Sequence, residues 1–245
     1  MWFLIFIFLA ATIAGSIAAV TGFGIGSVLT PTLGLIVDTK TAVAAVSIPH
    51  LVGTAVRFWN LRPDVDRRTL WRFGVPSAAG GLTGALLHER VTSPLLTTVF
   101  GALLIFVAAS ELTGLARRMR FKGALAWTAG ALSGLLGGLV GNQGGIRSAA
   151  LLGFELPKRT FVATATAVGL IVDGARMPVY LVTEGDELRR LFLPIAVAIA
   201  GVIVGTVFGS RVLSRIPEHR FRLVVAVILA ALGTTMLLRG YGFAR

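Results

Sequence analysis

The 245 residues contain no cysteine. That excludes disulfides, thiolate-held metals and a sulfur relay through a thiol, and it leaves the compartment open. Charge is scarce as well. Asp, Glu, Lys and Arg make up 14% of the chain, against about 25% in ordinary soluble domains. Hydrophobic residues make up 55% and the mean hydropathy is +0.84. One soluble core cannot absorb that excess, so the expected solvent is a bilayer. Polar stretches are short, none beyond roughly fifteen residues, which leaves no room for a soluble domain. Met1–Ala19 has no basic n-region and reads as a retained segment rather than a cleaved signal. The three histidines are far apart and no His-Glu-x-x-His occurs, so no metal site is supported. No Gly-x-Ser-x-Gly and no other nucleophile–base constellation is visible. Gly24-Ile25-Gly26 has no βαβ setting for a dinucleotide. The expectation is a protein that is not an enzyme and carries no cofactor.

Two glycine-rich stretches organise what is present. Val20–Ser27 reads Val-Thr-Gly-Phe-Gly-Ile-Gly-Ser, and Val140–Ile146 reads Val-Gly-Asn-Gln-Gly-Gly-Ile. Each falls where an apolar helix should continue. Glycine costs roughly 1 kcal/mol per position in a helix interior, so each stretch predicts a break. The apolar segments around them predict an all-α polytopic membrane protein of two halves, 1–116 and 117–245. The first half has a broken hairpin over 2–37 and spans over 41–58, 73–87 and 94–112. The second has a hairpin over 123–154 and spans over 160–182, 191–208 and 221–238.

A shift of 119 places superimposes Gly15 on Gly134, Gly22 on Gly141, Gly26 on Gly145, Thr41 on Thr160 and Arg57 on Arg176. The arginine match points to an internal duplication, because arginines near membrane depth are scarce. Basic residues cluster between the apolar runs, the pattern of cytoplasmic loops rather than of a nucleic-acid surface. With loop 60–72 inside, the inside loops sum to about +10 and the outside segments to about +1. Both termini then lie outside and the halves are inverted.

Breaks at matching places in two halves point to a transporter's binding site near the midplane. The short helices after them offer unpaired N–H groups and a positive dipole end, which suit an anion. The candidate contacts are Thr21, Gly22, Phe23, Gly24, Gly26 and Ser27 from the first stretch. Gly141, Asn142, Gln143, Gly144, Gly145, Arg147 and Ser148 come from the second, and Arg176 adds charge. The competing reading is close helix packing at small residues, which does not account for two adjacent amides. Asp173, His50 and Glu111 are the candidates for a coupling proton, with sodium the alternative coupling ion. Asp173 and Arg176 are spaced to pair on one helical face. Arg57 and Glu111 lie near span ends, where snorkelling is the simpler account. His88 and His219 read as loop residues.

Gly15 to Pro31, with its Thr-Gly-Phe-Gly-Ile-Gly-Ser core, resembles the first signature of the TauE/SafE family of sulfite and organosulfonate permeases. Gly134 to Gly145 resembles that family's second signature, Gly-x-x-Gly-x-x-Gly-x-x-Gly-Gly. The resemblance covers nearly the whole chain. It implies a multi-pass transporter of small sulfur-containing anions in a bacterial inner membrane. Asn142-Gln143 departs from the small residues common there and marks a place where the ligand can differ. The absence of cysteine separates the chain from thiosulfate transporters that use thiol contacts. A channel of the same architecture, or a carrier of another small anion, is the alternative.

Overall fold

The computed structural model describes residues 1–115, 124–142, 144–213 and 218–242. Linker 117–122, Gln143 and residues 214–217 of loop 211–222 lie outside the described residues. The described chain is helical throughout, with no strand. In order it forms α1 (Trp2–Thr21), α2 (Ile25–Gly34), α3 (Thr39–Leu61), α4 (Val75–Arg90) and α5 (Ser93–Thr113). Then come α6 (Ala124–Val140), α7 (Gly144–Leu152), α8 (Lys158–Thr183), α9 (Phe192–Leu213) and α10 (Glu218–Gly240). Among the described residues six helices, α1, α3, α5, α8, α9 and α10, are long and apolar enough to cross a membrane. The chain is therefore a multi-pass membrane protein. The expected span 73–87 is a helix of only 16 residues, α4. A π-helical turn, Leu70–Gly74, leads into it and extends its reach. The expected loop 211–222 is largely helix, divided between α9 and α10.

Side chains sort as a bilayer requires. Ile5, Phe6, Leu9 and Ile13 of α1 face outward, as do Val207, Phe208, Val224 and Val227 of α9 and α10. Apolar surface of that extent marks contact with lipid or partner. Trp59 and Trp71 stay exposed beside the basic loop they flank, where interfacial aromatics belong. The interior holds α2, whose ten residues are all buried, and the central pair α3 and α8.

Close packing falls on glycine. α1 packs along α9, α4 along α6, and α5 along α10. Gly15 meets the Val202 backbone, Gly205 the Thr12 carbonyl, Gly80 the Ala131 carbonyl and Gly134 the Ser77 carbonyl. Small residues let backbones approach this far in membranes. Gly15 and Gly134, although part of the two signatures, are thus packing residues. α3 also lies against α8 and α9, and α8 against α4.

The polar ends separate onto two faces. On one, Asp38 caps α3 through the Lys40 and Thr41 N–H groups and accepts from Ser93, while Lys40 Nζ donates to the Glu89 carbonyl. Burial pushes the Asp38 carboxyl up, but the Thr41 and Ser93 hydroxyls and those two N–H groups hold it below the ordinary range. Glu184 shares this face. Burial raises its carboxyl, Lys40 lowers it, and Asp38, Glu187 and Glu89 raise it further, leaving it above the ordinary range. On the other face Arg159 pairs with Asp64 at 2.8 Å, and Arg222 lies 3.7 Å from Glu111.

The glycine seam gives a direct expectation. A methyl group at Gly134 would overlap the Ser77 carbonyl, whereas Gly174 faces open space. Gly134→Ala should lower stability by about 1–3 kcal/mol or more, read as a lower unfolding midpoint in detergent. Gly174→Ala should leave it level or slightly higher. Equal stability of the two variants would contradict the α4–α6 contact.

Candidate functional site

Both glycine stretches interrupt helix. α1 ends at Gly22, whose φ of 82° is left-handed and whose N–H returns to the Ala18 carbonyl at 3.0 Å. α6 ends the same way: Gly141 has φ 73° and its N–H bonds the Gly137 carbonyl at 3.0 Å. This is the αL cap, which only glycine adopts freely. Gly24, at φ 133°, then turns the chain into α2. The Thr21 hydroxyl lies 2.5 Å from the Phe23 carbonyl and accepts the Phe23 N–H, so it is used within its own turn.

The two breaks meet. Gly26 is seated against the Gly141 carbonyl and Gly144 against Phe23. Ser27 Oγ donates to Asn142 Oδ1 at 3.1 Å. Gly145 turns instead toward Val107 of α5. The crossing thus joins Gly22, Phe23, Gly24, Gly26 and Ser27 with Gly141, Asn142 and Gly144. Gln143 lies outside the described residues.

A broken helix leaves its last carbonyls without intrahelical partners. Here the glycine caps reach the Ala18 and Gly137 carbonyls, and side chains add second donors to those two and supply others. Arg57 Nη1 donates to the Ala18 carbonyl at 2.7 Å and its Nε to Thr166 at 3.1 Å. Arg176 Nη1 donates to the Gly137 carbonyl at 2.6 Å. Tyr180 Oη donates to the Gly138 carbonyl, and His88 Nδ1 lies 2.7 Å from the Leu139 carbonyl. Arg147 Nη2 reaches across to the Gly22 carbonyl at 3.0 Å. Arg57 is therefore no snorkelling residue: it is 6% exposed and caps a helix inside the bundle. His88 is no loop residue either, being fully buried in the last turn of α4.

Arg176 is held further by Asp173, with Nη2 at 2.8 Å from Oδ1. The other oxygen of Asp173 lies 2.6 Å from His50 Nδ1 on α3. Buried charge among the described residues is thus three guanidiniums, Arg57, Arg147 and Arg176, against the single carboxylate of Asp173. Several buried donors have no partner: Arg147 Nε and Nη1, Asn142 Nδ2, and the hydroxyls of Ser148, Thr30 and Thr54. Such groups are rare in native interiors and call for an explanation. Glu111, by contrast, stands apart near Arg222. Its carboxylate lines a cavity of about 250 Å³ between α5, α6 and α7, with Gly145 and Ile146 on the opposite wall.

The family model for the sulfite exporter TauE/SafE matches residues 7–236. The chain belongs to the TauE/SafE family. No curated protein and no solved structure matches it significantly. TauE/SafE is a transporter family, and six apolar membrane-length helices fit a TauE/SafE membrane exporter of small anions.

Thr30 and Thr54 were not singled out by sequence reasoning. Thr30 follows Ser27 by three places on α2, and Thr54 follows His50 by four on α3, so helical spacing puts each on a face already marked. Removing the one buried carboxylate should expose what it compensates. Asp173→Asn leaves Arg176 without its ion pair and should destabilise by about 3–5 kcal/mol. Asp64→Asn, which breaks a surface pair with Arg159, should change stability by about 0–1 kcal/mol. Chemical unfolding in detergent compares the two, and equal effects would contradict the buried network.

Proposed function

We propose that this TauE/SafE protein is an alternating-access carrier of a small sulfur-containing anion, sulfite or an organosulfonate, bound where the two breaks cross. The observation that carries this is Arg147. Its guanidinium is 1% exposed, spends Nη2 on the Gly22 carbonyl and leaves Nε and Nη1 without partners. A buried cation with free donors costs several kcal/mol unless something negative completes it. A tetrahedral or pyramidal oxyanion does so, because its oxygens accept from a guanidinium fork and from amide and hydroxyl donors together. Asn142 Nδ2 and the hydroxyls of Ser148 and Thr30 are the further donors. The excess of buried guanidinium over carboxylate favours the same charge.

Two inverted copies, 1–116 and 117–245, are the proposed frame. Exchanging α1 with α6, α3 with α8, α4 with α9 and α5 with α10 carries the packing pairs into one another. The α1–α9 pair becomes α6–α4, and α3–α9 becomes α8–α4. The capping bonds follow the shift of 119 places: Arg57 to Ala18 corresponds to Arg176 to Gly137. The two hairpins differ in seating, which suits alternating access. α2 packs against α10, with Arg239 bonding the Gly34 carbonyl, whereas α7 borders the 250 Å³ cavity beside α5. The basic face carrying loop 60–72 is the proposed cytoplasmic side of a bacterial inner membrane, with both termini outside.

Purified protein should gain thermal stability with at least one of sulfite, sulfate, thiosulfate, sulfoacetate and taurine. A ligand at a hundred times its dissociation constant contributes about 2.7 kcal/mol. Arg147→Gln should weaken that binding at least about tenfold, a loss of about 1.4 kcal/mol. Unchanged affinity in the variant would remove Arg147 from the site. In liposomes, saturable counterflow is expected; single-channel currents would make the protein a pore instead. The cysteine-free chain also allows an orientation test. Glu89→Cys should label from outside intact cells and Arg67→Cys only after permeabilisation, and the reverse pattern would invert the assignment.

A further inference from the structure

One buried pair is not needed to hold the anion. His50 and Asp173 join α3 to α8 at 2.6 Å, in the middle of the bundle. Both residues are buried, with Asp173 fully so. They stand next to the crossing: the His50 ring lies against Gly26, the residue seated on the Gly141 carbonyl. Asp173 continues through Arg176 to the Gly137 carbonyl, the last turn of α6 before the second break. The pair is thus linked by hydrogen bonds to one break and by packing to the other.

The groups around His50 define what a proton there would meet. Asp173 and Arg176 face it from α8 and Arg147 from α7. Arg57 stands two turns further along α3 and Thr54 one turn along. The buried polar residues Ser27 and Thr30 of α2 and Thr206 of α9 carry no charge. Tyr180 and, beyond it, His88 lie on the far side of Arg176. Positive charge is in excess in this set, so a proton on His50 is opposed while the anion site is empty. An anion beside Arg147 lowers that excess. It also draws on the same guanidinium that Asp173 faces. Binding free energies are reciprocal, so whatever the anion does for the proton, the proton does for the anion.

We propose that His50, paired with Asp173, is a proton site coupled to the anion site, so that anion and proton bind together and move as a symport. This rests on the anion reading of Arg147 given above. It assigns the coupling ion and separates His50–Asp173 from Glu111, which lies near the membrane surface with Arg222. The proton binds at His50 Nε2 or is shared along the Nδ1–Oδ2 contact; no covalent bond is made.

The test is a proton count. The protein, in weakly buffered detergent near pH 7, is mixed with whichever anion of the panel stabilises it, and proton uptake is read from a pH indicator dye. Wild type should take up about one proton per anion bound. His50→Asn places an amide nitrogen where Nδ1 stands, keeps a donor toward Asp173 and cannot titrate. The variant should lose that uptake, and the difference between the two proteins cancels any proton carried by the anion itself. Anion binding by wild type without His50-dependent uptake, or equal uptake by a folded His50→Asn protein, overturns the proton site and leaves the anion site intact. If His50→Asn does not fold, the steepness of wild-type anion affinity between about pH 6 and 8 decides. For an anion whose own charge is constant there, affinity must fall as pH rises through the His50 titration, and a flat profile overturns the coupling. Failure of every panel anion to bind overturns the underlying reading and the coupling with it.

Discussion

A helix that stops inside a bilayer must find partners for its last carbonyls, because no water is there to take them. That constraint governs this molecule. α1 stops at Thr21 and α6 at Val140. The carbonyls at these ends are met by Arg57 at Ala18 and by Arg147 at Gly22. At α6 they are met by Arg176 at Gly137, Tyr180 at Gly138 and His88 at Leu139. Cations at helix C-termini also meet the negative end of the helix dipole, about half an elementary charge. The breaks and the buried arginines are therefore one design.

The same solution creates the chemistry. Three buried guanidiniums bonded to carbonyls at the breaks carry more charge than two partial dipole ends and one carboxylate offset. Arg57 and Arg176 use their donors within the protein, on a carbonyl plus Thr166 or Asp173. Arg147 does not: its Nε and Nη1 are without partners, as is Asn142 Nδ2. In the proposed reading, these groups form the site for a small anion. Glycine makes the geometry possible by different means at different positions. Gly22, Gly24 and Gly141 supply backbone conformations, whereas Gly15, Gly80 and Gly134 supply closeness between helices.

Much of this was legible in the sequence, and the reasons for the rest are physical. Composition fixed the bilayer as solvent, and glycine density located both breaks to within a residue or two. The 119-place shift pairs Arg57 with Arg176, and their bonds to Ala18 and Gly137 correspond, but nothing in the match reports those bonds. Distance from a span's end misled at Arg57 and His88: both lie near helix termini in sequence but point inward, toward carbonyls of a different helix. α4 was read as an ordinary span because hydropathy does not report the π turn that precedes it. The His50–Asp173 pair spans residues 123 apart, and no periodicity within one helix reports a partner on another.

The central claim is that an oxyanion completes Arg147 at the crossing. Selenite and selenate mimic sulfur oxyanions in shape and charge and scatter anomalously at the selenium edge. In crystals soaked with either, an anomalous peak is predicted about 4 Å from Arg147 Nε or Nη1 and from Asn142 Nδ2, one Se–O bond beyond each hydrogen-bonded oxygen. Selenium density found only at surface arginines, with the crossing closed as Gly26 against Gly141, would contradict it.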